Sequence, residues 1–116
     1  MLNFTGALKV YVATEAADLR KSFTGLWALT LNALKEDPRS GALFVYCNRR
    51  RNRVKSLYWD GTGLWVMTKR LEKGTFSWPR GVEVKEGKLS LSPQALGLLL
   101  DGVDLRQGSL RPWYQR

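Results

Sequence analysis

Leu8, Val10 and Val12 alternate with Lys9, Tyr11 and Ala13, and this two-residue period over Leu8 to Thr14 predicts a first strand. The period then lengthens. Leu26, Leu29, Ala33 and Leu34 recur at helical spacing, Trp27 and Leu31 extend that face, and the main helix is predicted from Ser22 or Thr24 to Lys35. Asp37-Pro38-Arg39-Ser40-Gly41 is turn chemistry and ends it. The middle of the chain returns to strand pattern. Ala42 to Cys47 and Val54 to Trp59 flank a polar loop from Asn48 to Arg53. Asp60-Gly61-Thr62-Gly63 is a strong hairpin turn, and Leu64 to Lys69 follows it, so these segments predict an antiparallel meander. Gly81 to Lys85 and Lys88 to Leu91 flank Glu86-Gly87 as a second small hairpin. Ser92-Pro93 is an N-cap followed by Pro at the first helical position, opening a short helix through Leu100 that Asp101-Gly102 stops.

The expected fold class is α+β: a single domain with an antiparallel β-meander sheet packed against one long helix, plus a short C-terminal helix. The sheet is expected to have about four to six strands. The 116 residues suit one domain with its core over about residues 7–103, and residues 104–116 form a tail with little pattern. No repeat, low-complexity tract or linker interrupts the chain. No charged leader followed by an apolar run is visible at the N-terminus, and Leu96 to Leu100 falls far short of a membrane span. A cytoplasmic location without membrane contact is the expectation.

Composition removes several kinds of chemistry. With no His, imidazole cannot act as general base or metal ligand, and one Cys permits neither an internal disulfide nor a Cys-rich metal site. Cys47, inside an apolar run, reads as a small buried hydrophobe. No cofactor is implied and no catalytic set is evident, so the chain is expected not to be an enzyme. Charge points elsewhere. Nineteen Lys+Arg against 10 Asp+Glu give +9, the footprint of a polyanion binder or simply of a soluble domain. Placement favours the first. Residues 35–80 hold 11 basic and 4 acidic side chains, which leaves only +2 for the rest of the chain.

The densest segment is Asn48-Arg49-Arg50-Arg51-Asn52-Arg53-Val54-Lys55, five cations in eight residues with no acid. Like charges so close repel unless an anion lies between them. Arginine's planar fork grips phosphate or guanine bidentately, which lysine cannot do. A solvated loop tip is the plainer alternative, but it explains the Arg content less well. Two antiparallel arms of this length reach about 20 Å, and a two-stranded ribbon fits the ~12 Å major groove of B-DNA. Asn48 and Asn52 suit adenine edges, although turn-making is the simpler reading of each.

Other groups add less. Lys69-Arg70-Leu71-Glu72-Lys73 is a second basic cluster diluted by Glu72, and Arg20-Lys21 offers further phosphate contacts unless Arg20 pairs with Asp18. Phe44, Tyr46, Tyr58, Trp59, Trp65, Phe76 and Trp78 surround the basic region. Core packing is the favoured reading, with Tyr46, on the opposite face from Val45 and Cys47, the best candidate for an exposed ring. Asp37, Asp60 and Glu72 make a weak metal-binding set, since turn-making accounts for both aspartates.

The succession Asp18-x-Arg20-Lys21-Ser22-Phe23-x-Gly25-Leu26, Asp37-Pro38-x-Ser40-Gly41-x-Leu43-Phe44-Val45 and Asn48-Arg49-Arg50-Arg51-x-Arg53-x-Lys55 continues into Trp59-Asp60-Gly61-x-Gly63. It closes with Lys69-Arg70-Leu71-Glu72-x-Gly74-x-Phe76-x-Trp78-Pro79. Over roughly residues 9–103 this resembles the accessory-protein family encoded by the second open reading frame (TnpB) of insertion sequence 66-type bacterial elements. Departures are confined to Glu15-Ala16, where the family often has Gly-Pro, and Thr24, where it often has Asp. The resemblance implies a part in transposition beside a separate, larger transposase that carries the catalytic carboxylates.

Joined, the two lines of reasoning expect a non-catalytic DNA-binding accessory protein that contacts element ends or target DNA. Its nucleic-acid contacts would be Arg49, Arg50, Arg51, Arg53, Lys55, Lys69, Arg70, Arg20 and Lys21. An adaptor for the transposase, anchored through Trp113-Tyr114, is the alternative, and a metal-dependent nuclease using Asp60 a more distant one.

Overall fold

The period-two segments pair into one five-stranded sheet in the computed structural model, which describes residues 8–79 and 87–102. In chain order the elements are β1 (Val10–Ala13), α1 (Phe23–Asn32), β2 (Leu43–Cys47), β3 (Arg53–Trp59), β4 (Leu64–Arg70), β5 (Lys88–Leu91) and α2 (Pro93–Leu100). The sheet order is β4-β3-β2-β1-β5. β2, β3 and β4 run antiparallel in sequence, with Tyr46 opposite Lys55 and Arg53 opposite Arg70.

Two expectations change here. The sheet is mixed rather than a wholly antiparallel meander, because β1 lies parallel to β2, with Val10 opposite Leu43. The cause is the connection between them. It carries α1 back to the starting end of the sheet, as any parallel pairing requires. β5 then adds to the free side of β1, antiparallel, with Val12 opposite Leu89. The expected strand over residues 81–85 and most of its hairpin lie outside the described residues. The second change concerns the helix. α1 has ten residues and stops at Asn32, not Lys35, so it is not one long helix. Ala33 caps it through an N–H to the Leu29 carbonyl, and Lys35 takes a left-handed φ of 58°. The apolar period continues through Leu34 because that side chain turns into the core after the helix has ended.

The sheet is covered on both faces. On one side, Ala13, Phe44, Tyr46 and Leu57 pack with Leu26 of α1, Leu19 and Leu34. On the other, Val10, Val12, Leu43, Val45, Cys47 and Val54 pack with Leu96 and Leu99 of α2, Phe76 and Trp78. Trp78 is held by its indole N–H to the Ala13 carbonyl at 2.7 Å. Ser92 caps α2 as expected, its hydroxyl accepting the Ala95 N–H at 3.0 Å. Among the described residues no helix is long and apolar enough to cross a membrane.

Tyr46 is therefore not an exposed ring. Every residue of β2 is buried, and Tyr46 is 1% exposed. Alternation marks inside from outside only where one face meets water, and here both sides are core. Its hydroxyl lies 2.6 Å from Thr30 Oγ1, which is itself 2.8 Å from the Leu26 carbonyl. Thr30 has one proton and gives it to Leu26, so Tyr46 is the donor in the shorter bond.

Burial pushes the Tyr46 pKa from 10.0 up to about 12, against a smaller opposing effect of Thr30, whose hydroxyl can turn to donate to the phenolate. The unfolded chain loses this proton near pH 10 while the folded one keeps it, so stability falls as pH rises through that window. Denaturant melts of wild type and Tyr46→Phe should show a steeper loss between pH 10 and 12 for wild type. Equal slopes would contradict this. At neutral pH the substitution should cost about 1 kcal/mol, the scale of one hydrogen bond.

Candidate nucleic-acid interface

The β2–β3 loop is built by its asparagines. Asn48 Oδ1 accepts the backbone N–H groups of Asn52 and Arg53, both at 3.0 Å, and Asn48 Nδ2 donates to Asn52 Oδ1 at 2.7 Å. Asn48 is thus committed to making the turn, the simpler of its two expected roles, and Asn52 contributes its side-chain carbonyl oxygen to it. Arg51 N–H bonds to the Asn48 carbonyl, and Arg51 takes a left-handed φ of 59°.

That conformation splits the arginine run. Arg49 and Arg50 are exposed at the tip. Arg51 folds back. Its guanidinium carbon sits 5.8 Å from the Trp78 ring centroid, and its carbonyl accepts the Phe76 N–H at 2.6 Å. Burial pushes the Cys47 thiol pKa up, and the nearby Arg51 guanidinium opposes that shift. One guanidinium nitrogen, Nη1, is buried with no hydrogen-bond partner among the described residues. Arg51 anchors the tip to the loop carrying Phe76 and Trp78.

Arg53 and Arg70 meet across the β3–β4 ladder. In this register the backbone bonds Asp60 N–H to Gly63 O and Leu71 N–H to Asn52 O mark the bonded pairs. Bonded and non-bonded pairs alternate, so Arg53 and Arg70 form a non-bonded pair, where Cα atoms come within about 4.5 Å. Both are exposed, and cations directly opposed in this way are destabilising. Among the described residues, the side chains of Arg49, Arg50, Arg53 and Arg70 make no hydrogen bond or ion pair.

Lys55 lies two residues from Arg53 on the same face and donates from Nζ to the Lys21 carbonyl at 2.9 Å. This ties the segment before α1 to the basic end of the sheet. Lys21 reaches that place by crossing Gly25 closely. A Cβ on Gly25 would stand 2.5 Å from Lys21 Cβ, so only glycine lets the two approach. α1 starts there without a side-chain cap or an acid in its first turn, which leaves its positive end unopposed.

Other expected contact residues have partners within the fold. Arg20 forks onto Asp18, Nε to Oδ1 at 2.9 Å and Nη2 to Oδ2 at 2.8 Å, and this pair lowers the Asp18 pKa to about 2. The structural ion pair is the form Arg20 takes. Lys69 points to the other face and donates to the Leu100 carbonyl at 2.7 Å, at the negative end of α2. Asp60 accepts Thr62 N–H, Thr62 Oγ1, Gly63 N–H and Trp65 Nε1, which holds its pKa far below the usual carboxylate range. Asp37 accepts the Arg39 N–H, and among the described residues no three potential ligands converge on a metal position. Trp113-Tyr114 lies outside the described residues.

Sequence reasoning did not identify the Arg53–Arg70 opposition, although the signal was present. The four-residue turn Asp60–Gly63 sets a register that leads back from Trp59 and Leu64 to Arg53 and Arg70. It also passed over Arg39, whose guanidinium carbon lies 5.4 Å from the rings of both Trp27 and Trp59. Nothing in their spacing announced that sandwich.

These features define a small α+β domain whose free arginines, among the described residues, are gathered at one end of a hairpin. A family model described as "IS66 Orf2 like protein" matches residues 8–109, and the chain belongs to that family. It is 38% identical to the uncharacterized protein y4jC of Sinorhizobium fredii (strain NBRC 101917 / NGR234), over 97% of this chain and 93% of the relative. A second uncharacterized protein of the same strain, y4hO, is 36% identical over 90% of each. No solved structure matches. The family places the chain with insertion-sequence accessory proteins.

The division of the arginines is testable by stability alone. Arg51→Ala should lower thermal stability by about 1 kcal/mol through loss of the Trp78 stack. Arg50→Ala, at an exposed tip, should stay within about 0.5 kcal/mol of wild type. Thermal melts of both variants check this, and equal effects would refute the division.

Proposed function

We propose that this chain is a DNA-binding accessory protein of an insertion-sequence transposition system, acting without catalysis of its own beside a separate transposase. The observation that carries the reading is the Arg53–Arg70 pair. Two guanidinium groups held opposite one another, with no described carboxylate between them, are costly in the free protein and relieved by a bridging phosphate. Arg49 and Arg50 extend the same end of the hairpin, and Lys21 and Lys55 flank it. Arg51, Arg20 and Lys69 have internal partners and are assigned to positioning rather than phosphate contact.

This set makes a quantitative claim. With one phosphate for each of Arg49, Arg50, Arg53 and Arg70, log K for duplex DNA should fall against log salt with a slope of roughly −3.6. The double variant Arg53→Ala/Arg70→Ala should reduce the slope by about 2 without loss of thermal stability, because it also removes an internal repulsion. Fluorescence anisotropy across a salt series, with element-end and scrambled duplexes, measures both. A flat salt dependence, or a slope unchanged in the double variant, overturns the reading. A difference between the two duplexes would reveal base readout beyond phosphate affinity.

A further inference from the structure

β4 ends the sheet, and among the described residues nothing is hydrogen-bonded along its outer edge. The bonds Asp60 N–H to Gly63 O and Leu71 N–H to Asn52 O fix which backbone groups face inward. Residues 65, 67 and 69 bond to β3, so Leu64, Val66, Thr68 and Arg70 present their N–H and C=O groups outward.

The edge lacks the usual protections against strand addition. It contains no Pro or Gly, its seven residues pair with β3 without a bulge, and its only charges, Lys69 and Arg70, sit at one end. The opposite edge, β5, is four residues long and starts with a Lys. Apolar side chains accompany the open backbone of β4. Trp65 is 41% exposed, and its indole N–H is already satisfied by Asp60, which leaves the ring for an apolar contact.

The occupant that fits is β4 itself. An antiparallel copy related by a twofold axis at Met67 sets Met67 against Met67, Val66 against Thr68, Trp65 against Lys69 and Leu64 against Arg70. In this register outward-facing residues meet outward-facing residues, as the ladder demands. Each Lys69 stem comes beside a Trp65 ring, and no cation faces a cation. A parallel copy would instead bring both Lys69-Arg70 pairs together. With strands rising ~3.4 Å per residue, the twofold puts the two Arg70 residues about 20 Å apart, beyond the Debye length at physiological salt. The repulsion expected from +9 on each copy is thereby kept low at the contact itself.

We propose that β4 is the interface with a second copy of this chain, joining the two sheets into one continuous sheet about a twofold axis. The proposal is independent of DNA binding. Its salt dependence has the opposite sign, since screening strengthens contact between two cationic copies but weakens contact with DNA.

Sedimentation equilibrium of the full chain should show a dimer that tightens as salt rises. Thr68→Pro should weaken it at least tenfold with an unchanged circular-dichroism spectrum, because Thr68 is exposed and its N–H points outward. Met67→Cys should cross-link under mild oxidation, since a non-bonded pair brings Cα atoms within disulfide range and the native Cys47 is buried. Trp65→Cys, which this register places against Lys69, should not. A monomeric full chain, a dimer indifferent to Thr68→Pro, or cross-linking through Trp65→Cys instead of Met67→Cys overturns the proposal. So does a monomer whose amides at 64, 66 and 68 resist hydrogen exchange, which would give the edge to a segment of the chain itself.

Discussion

Asp60 sets the geometry on which both ends of the β3–β4 hairpin depend. Its Oδ1 gathers the Thr62 and Gly63 N–H groups and the Thr62 hydroxyl, and its Oδ2 takes the Trp65 indole. Four donors on one carboxylate leave a single way for the turn to close. A shift of one residue would send every β4 side chain to the other face. The register so fixed runs seven residues back and ends with Arg53 opposite Arg70. It also determines, by the same alternation, which backbone groups of β4 point away from the sheet. A carboxylate that resembled a metal ligand in the sequence is thus the fixed point from which the basic end is measured.

Much of this was legible from pattern. The β2, β3 and β4 segments, the Asp60–Gly63 turn and the Ser92–Pro93 helix start are all local signals, and local chemistry decides them. The errors lie where non-local packing decides. Nothing local to β1 says that its partner is β2 in parallel, because that follows from the path of the α1 connection. Leu34 keeps the helical period after the helix has stopped, since it serves the core and not the helix. Tyr46 alternates with Val45 and Cys47 as a surface residue would, yet α1 covers its face and Thr30 meets its hydroxyl. In a sheet buried on both sides, alternation separates two cores rather than core from water.

The basic segment shows the same limit at finer grain. Arg49, Arg50 and Arg51 are equivalent as sequence, and net charge counts them alike. A left-handed φ at Arg51 makes them different. Trp78, from the loop after β4, supplies a site for one guanidinium, and Arg51, whose φ is left-handed, takes it. Asn48, which suited both a base edge and a turn, has its side-chain carbonyl and amide committed to the loop and keeps no free edge for a base.

Cations spent inside the fold still contribute to what the exposed ones can do. A flexible Arg-rich loop would lose backbone and side-chain freedom on meeting phosphate, and that loss subtracts from affinity. Here Arg51 holds the tip against Trp78, and Lys55 pins the segment before α1 by the Lys21 carbonyl. The backbone carrying Arg49, Arg50 and Arg53 is therefore ordered before any ligand arrives, with Arg70 fixed by the ladder. The repulsion between Arg53 and Arg70 is paid in the free protein, where the rest of the sheet outweighs it, and an anion that bridges them recovers it. In the proposed DNA-binding role, ordered backbone and unrelieved charge act in the same direction: each would move part of the cost of binding into folding.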